Sequence, residues 1–251
     1  MSGHSKWATI KHKKAATDAK RGRIFTKIIR EISIAARVGG GDPDTNPRLR
    51  TAILAAKNEN MPSDNIERAI ARGAGTLEGE QYEEVNFEGY GPGGVGMIIQ
   101  VVTTNRNRVV SEIRHLMSKH GGNMAESGAV GWMFQRKGDI VVAKEKANED
   151  KMLSIVLDAG ADDLRDEGES WEVLTSPETF APVSDALTKA GVNPDSAEIG
   201  WVPQNYVKLA GPQAAQMLRL VEALEEHDDV QKVSANFDID EKEMQAVMAA
   251  E

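Results

Sequence analysis

The side chains best suited to chemistry in this sequence are cations, and they are concentrated at its beginning. Between Met1 and Arg37 there are ten Lys and Arg residues and only two acids. Cations repeated along one face of a helix can contact successive phosphates of a nucleic acid and release its counterions. We therefore predict nucleic-acid contacts from Lys6, Lys11, His12, Lys13, Lys14, Lys20, Arg21, Arg23, Lys27 and Arg30.

Trp7 is the large aromatic side chain in the middle of these cations. Aromatic rings stack on unpaired bases in RNA recognition, so Trp7 joins the predicted nucleic-acid contacts. The alternative is that Trp7 anchors this segment onto neighbouring helices. Because lysine dominates the charge, the segment favours contact with phosphates over the reading of a base sequence.

A second candidate site lies at Asn105-Arg106-Asn107-Arg108, where a predicted helix follows a predicted strand. Arginine suits bidentate contact with phosphate, and the amides at a helix start add further donors. The alternative is that Asn105 only caps the helix and that the arginines are ordinary surface residues. We predict contacts from Asn105, Arg106 and Arg108.

The charge of the chain is unevenly distributed. The whole protein sums to −9, whereas residues 1–72 hold 15 Lys and Arg against 7 acids, a balance of +8. Residues 73–251 hold 15 against 32, a balance of −17. Such asymmetry suggests that one part binds a polyanion while the other part repels polyanions or binds something else. The alternative is a lysine-rich face that is simply solvated.

The sequence contains no pattern typical of an enzyme, a metal site or a cofactor site. Cysteine is absent, and the five histidines include no HxxxH pair. The glycines of 89–96 match the GxGxxG spacing, but an apolar strand follows them where a nucleotide site needs a helix, so we predict a turn. We therefore expect no catalysis, no cofactor, no metal and no small-molecule substrate.

Targeting signals are also not found. There is no run of about 18 apolar residues that could span a membrane. The N-terminus lacks the apolar stretch of a secretory signal. We expect a cytoplasmic protein that does not contact a membrane.

Hydrophobic periodicity predicts an α+β protein with a small, all-helical N-terminal domain over residues 1–79. Ile24, Ile28 and Ile32 repeat at a helical period within a helix predicted from about Ala15 to Val38, and cations occupy the opposite face. Two shorter helices follow, the first capped by Asn46 and the second by Ser63.

Two ferredoxin-like, two-layer α/β domains are predicted after the helices. The order between Asp139 and Val202 is βαββαβ, the split motif of that fold. We predict that this domain, residues 137–203, is inserted into another formed by residues 80–136 and 204–251. In the latter, residues 130–134 are predicted to form a strand. Two consecutive domains are the plainer alternative.

Motifs along nearly the whole chain, from Gly3 to Asp238, resemble the YebC family. That family includes the mitochondrial translational activator of cytochrome c oxidase subunit I. The motifs are GHSKWA at 3–8, IKHKK at 10–14, AKRGR at 19–23, FTK at 25–27, NENMP at 58–62, YGPGG at 90–94, TNRNR at 104–108 and GAVGWMF at 128–134.

The resemblance implies a helical domain followed by two α/β domains and a non-enzymatic role in gene expression. It implies a ribosome-associated translation factor that binds ribosomal RNA and aids synthesis of proline-rich stretches. The alternative that it also implies is a DNA-binding transcriptional regulator. An enzyme with an unrecognised site in the α/β half is a third hypothesis. We expect a monomer.

Overall fold

The computed structural model describes residues 18–79 and 82–249, without the side chains of residues 18–21, 241, 248 and 249. The described chain forms two compact units. One is Trp132–Asn205, and the other consists of the residues up to Gly131 together with those from Tyr206 onwards. The helices therefore group with the first sheet. The division into 1–79, 80–136 with 204–251, and 137–203 stays a prediction.

Within residues 18–79, the N-terminal part that the structure describes, the chain forms three helices. Their core contains Ile32, Leu49 and Ala69, each at most 1% exposed. Asn46 is a buried polar residue whose hydrogen bonds are satisfied. Its side chain caps the second helix by accepting the Leu49 amide, and it donates to the carbonyl of Ala35. The helices are α1 (Asp18–Gly39), α2 (Pro47–Asn58) and α3 (Ser63–Gly73).

The chain then forms three strands and one helix of the first sheet. The predicted strand over residues 130–134 is wrong for residues 130–133, and only Phe134 lies in a strand. Gly131–Met133 is a single 3₁₀ turn, because the amides of Val130 and Gly131 donate to the Glu88 carboxylate and not to a strand. The elements are β1 (Glu83–Tyr90), β2 (Gly96–Thr103), α4 (Arg106–Lys119) and β3 (Asn123–Ala125).

The inserted unit has the βαββαβ order that the sequence predicts. Its sheet is antiparallel in the order β5-β6-β4-β7, which is the ferredoxin-like arrangement. Its core contains Ile140, Met152 and Leu187, from the sheet and both helices. The elements are β4 (Phe134–Ala143), α5 (Glu149–Asp158), β5 (Asp163–Asp166), β6 (Ser170–Thr175), α6 (Phe180–Lys189) and β7 (Ser196–Pro203).

The last part of the chain returns to the first sheet and completes the order β3-β1-β2-β9. Met97, Ile113 and Leu220 are among the buried residues that join this sheet to its two helices. The predicted α+β class, a helical region followed by sheets with helices, is confirmed. The final elements are β8 (Val207–Lys208), α7 (Gly211–Glu225), β9 (Val230–Ala235), β10 (Phe237–Asp238) and α8 (Glu241–Ala249).

Candidate nucleic-acid interface

The cationic face of α1 lies against the C-terminal end of α7. Arg23 Nη1 is 3.3 Å from Glu226 Oε1, and Lys27 Nζ donates to the backbone carbonyl of Glu225 at 2.6 Å. The last carbonyls of a helix have no partner within it and carry the negative end of its dipole, so a lysine there is stabilising. The predicted phosphate contacts Arg23 and Lys27 thus have acceptors within the chain itself.

Arg30 continues the same face and reaches a buried acid. Its Nη1 lies 2.8 Å from Asp229 Oδ1 and also donates to the carbonyl of Asp228. The Asp229 residue is only 2% exposed. A carboxylate that is almost entirely removed from water requires partners to offset its lost hydration. Arg30 supplies one of them.

Arg108 and Thr103 supply the others. Arg108 Nη2 donates to Asp229 Oδ2, and Thr103 Oγ1 donates to the same oxygen at 2.9 Å. We call Asp229, Arg30, Arg108 and Thr103 the Asp229 cluster. Burial alone would lower the pKa of Arg108, but Asp229 and Glu112 raise it above its ordinary value. Two predicted phosphate-binding arginines, from α1 and α4, therefore converge on one internal carboxylate.

Glu112 and His227 extend this network at its edge. His227 Nδ1 accepts the Asp229 amide at 3.1 Å, so the imidazole proton is on Nε2, which lies 2.9 Å from Glu112 Oε2. Glu112 also accepts from Arg108 Nη1 at 2.9 Å. The turn between α7 and β9 is thereby held in one conformation towards α4.

Two further cations connect the helical part with the strand β1 region. Arg48 pairs with Glu31 at 2.7 Å and with Glu84 at 2.9 Å. Arg37 donates to the Tyr82 carbonyl at 2.5 Å. Part of the basic charge of the helical region is therefore complementary to acidic and carbonyl groups of the adjoining sheet and helices.

Of the remaining residues predicted to contact nucleic acid, the structure describes the side chains of Asn105 and Arg106. Asn105 caps α4, since its Oδ1 accepts the Arg108 amide at 3.1 Å, and Arg106 is exposed in the first turn. The others lie outside the described residues entirely, or have side chains that do. They are Lys6, Trp7, Lys11, His12, Lys13, Lys14, Lys20 and Arg21.

Sequence reasoning did not single out the exposed cations further along α4. Arg114 and Lys119 are exposed on this helix, and Lys119 is close enough to His120 to affect its titration. Burial lowers the pKa of His120, and Lys119 together with Arg219 lowers it further. A count of charge along residues 106–120, which contain four Lys and Arg against one acid, would have detected these cations.

A cleft of about 640 Å³ lies between the C-terminal ends of α1 and α3, lined by Ser33, Arg37, Arg72 and Tyr82 among others. The single hydrogen of the Ser33 hydroxyl is shared between the carbonyls of Ile29 and Ala69. No group of three or more His, Cys, Asp or Glu side chains among the described residues could hold a metal. In the same residues, no helix is long and apolar enough to cross a membrane.

Two family models match this chain, one over its N-terminal helical region and the other over most of the rest. Residues 5–76 match the TACO1/YebC protein N-terminal domain, and residues 82–237 match the TACO1/YebC second and third domain. A probable transcriptional regulatory protein of Solibacter usitatus is 64% identical over 98% of this chain and 99% of its own length. One of Geobacter sp. (strain M21) is 57% identical over 99% of this chain and 100% of its own.

A solved structure matches the fold as well. The crystal structure of a conserved hypothetical protein from Aquifex aeolicus has a TM-score of 0.83 and 49% sequence identity to this chain. The match covers 89% of this chain and 92% of that one.

Proposed function

Because this chain belongs to the TACO1/YebC family, we propose that it regulates gene expression without catalysis, by binding ribosomal RNA on the ribosome. The relatives named above are described as probable transcriptional regulatory proteins, which supports a regulatory role. The motif resemblance to a translational activator supports action in translation. Aid to the synthesis of proline-rich stretches is part of the same proposal.

The distribution of cations is the observation that carries the proposal. Of the ten Lys and Arg residues between Met1 and Arg37, Arg23, Lys27, Arg30 and Arg37 contact acidic or carbonyl groups of the chain. Internal charge complementarity accounts for these four. The other six lie at positions 6–21 against a single acid, Asp18. We propose that these six, with His12 and Trp7, bind RNA phosphates and bases.

The position of α1 argues against its use as a DNA-recognition helix. A DNA-recognition helix places its polar face in the major groove, where arginine and amide side chains read base edges. The corresponding face of α1 is turned towards α7 and the Asp229 cluster. A DNA-binding transcriptional regulator remains the alternative function, and the names of the relatives favour it.

Co-sedimentation of the purified protein with ribosomes over a salt series tests the proposal. We expect Lys13→Glu with Lys14→Glu to release the protein from ribosomes at lower salt than wild type. For each phosphate that is no longer neutralised, the log–log salt slope becomes shallower by about 0.7–0.9. The matched control is Arg50→Glu with Lys57→Glu, which makes the same charge change at two exposed positions of α2.

Two results would overturn the proposal. One is an equal effect of both double variants, which would mean that net charge and not the N-terminal segment governs binding. The other is a wild-type protein that stays at the top of the gradient at low salt yet shifts a duplex DNA fragment. That result would favour the transcriptional alternative.

A further inference from the structure

The inserted unit extends a two-stranded ribbon beyond the rest of its sheet. Strand β6 ends at Thr175, opposite Gly138 of β4. The four residues of β4 before Gly138 therefore pair only with residues 200–203 of β7. On this ribbon Gln135 and Arg136 are exposed, whereas Phe134 and Val202 are buried.

Trp132 lies at the end of this ribbon and is 66% exposed. Its backbone is nevertheless held, because the Gln204 side chain donates to the carbonyls of Trp132 and Phe134 at 3.4 Å each. The backbone N–H of Gln204 also donates to the Met133 carbonyl at 2.9 Å. An exposed indole on a fixed backbone loses little conformational entropy when it binds a planar partner.

A second aromatic ring on the ribbon orients a cation. The Arg136 guanidinium is 5.3 Å from the centre of the Trp201 ring, within the range of a cation–π contact. Trp201 is the partner of Arg136 across the β4–β7 pair. Arg136 is exposed, so its donors remain accessible to an anion.

Within the inserted unit, the acids lie outside the ribbon. Residues 132–137 and 199–205, which form the ribbon and its ends, contain no acid and two cations, of which Lys137 is paired with Asp162 at 2.7 Å. Residues 138–198 contain 5 Lys and Arg against 15 acids. A polyanion is therefore repelled by most of this unit and meets its weakest repulsion at the ribbon.

We infer that the end of the ribbon, which carries Trp132 and the Arg136–Trp201 pair, binds single-stranded RNA. One unpaired base stacks on the Trp132 indole, and the adjoining phosphate binds the Arg136 guanidinium. The choice of RNA rests on the proposed function, but the surface is separate in sequence from the basic segment at positions 6–21. Binding would therefore use two regions, one selecting charge and the other selecting an unpaired base.

The test uses the full chain and a fluorescein-labelled oligouridine of about 12 nucleotides, with affinity measured by fluorescence anisotropy. Loss of a stacked base weakens binding by about 5-fold to 150-fold in such sites, so we expect Trp132→Ala to raise Kd by at least about 5-fold. Trp132→Phe keeps an aromatic face and should retain most of the affinity. Leu157→Ala is the control, since Leu157 is a 59% exposed apolar residue of α5, away from the ribbon.

A second measurement separates stacking from charge. Quenching of tryptophan fluorescence by the oligouridine should decrease in Trp132→Phe, whereas an abasic oligomer of the same length should cause little quenching in wild type. Thermal unfolding of each variant should match wild type, because the ring is mostly exposed.

The outcomes distinguish this inference from the proposed function. If Lys13→Glu with Lys14→Glu weakens binding while Trp132→Ala does not, the inference is wrong and the proposed function stands. If Trp132→Ala weakens binding while the lysine variant does not, the N-terminal site is wrong and the ribbon stands. If Trp132→Ala binds RNA normally but sediments less with ribosomes, the ribbon contacts a ribosomal protein, and the inference is again wrong.

Discussion

The Asp229 cluster makes a quantitative prediction about how the helical region is attached. Asp229→Asn keeps the size of the side chain and removes its charge. Arg30, whose side chain is 15% exposed, then loses its carboxylate partner in a largely dehydrated position. Arg108 loses one of its two carboxylates and keeps Glu112.

The expected cost follows from burial. Removing one partner of a buried ion pair destabilises a protein by about 3–5 kcal/mol, because the other charge is left uncompensated. The Arg108 side chain is 45% exposed, so water can solvate its charge and its loss of Asp229 adds little to the destabilisation. We therefore expect a loss at the low end, about 3 kcal/mol, for Asp229→Asn.

Urea denaturation and amide hydrogen exchange measure the effect. The urea midpoint should fall for the transition that includes α1, and exchange should accelerate in α1 and in the turn before β9. Asp228→Asn is the matched control, because it removes the same charge from the neighbouring, exposed side chain. It should change stability by no more than about 0.5 kcal/mol.

A double-mutant cycle identifies the partner. Arg30→Gln combined with Asp229→Asn should cost about 1–2 kcal/mol less than the sum of the single changes, since each variant removes the same pair. The Asp229 cluster does not stabilise the attachment of α1 if Asp229→Asn costs under about 1 kcal/mol, if it matches Asp228→Asn, or if the two changes are additive.

Two further predictions concern a loop and a helix contact. Burial opposes ionisation of Glu88, but hydrogen bonds from the amides of residues 128, 130 and 131 lower its pKa overall. The ionised Glu88 therefore stabilises the fold fully at pH values above its unfolded-state pKa of about 4.3, and this stabilisation is lost as the pH falls through its lower native-state pKa. Glu88→Gln should reduce the urea midpoint at pH 7 and match wild type in strong acid. In α3, a Cβ on Gly73 would lie 2.2 Å from the Ser33 carbonyl oxygen, so Gly73→Ala should cost about 1–3 kcal/mol in thermal unfolding. Gly22→Ala, at a helical position with nothing within 4 Å, should be neutral or stabilising by up to about 1 kcal/mol, and equal effects at the two glycines would contradict the packing argument.

Much of the fold could be predicted because it depends on local patterns. The apolar repeat of α1, the Asn46 cap and the βαββαβ order of the insert are each encoded over short distances. The strand error at residues 130–134 has a different origin. Val130 fits a strand by composition, but its amide and that of Gly131 bind the Glu88 carboxylate, 42 and 43 residues earlier in the chain.

The candidate site shows the same division. The sequence indicated cations on one face of α1 and an acidic remainder, and both are correct as patterns. It could not indicate that Arg30 and Arg108, distant in sequence, share Asp229. A row of cations has the same sequence pattern whether its counter-ions come from RNA or from the chain itself.

By itself, the sequence determined most of the order of elements, the segregation of charge and the family motifs. Periodicity and composition are properties of neighbouring residues and survive without knowledge of distant contacts. Only the tertiary structure decided which cations are already paired, because an ion pair depends on which acid the fold brings within about 4 Å. The cations between Met1 and Arg37 thus divide into those of α1 that join the helices to the sheet and those at positions 6–21, which are proposed to bind RNA.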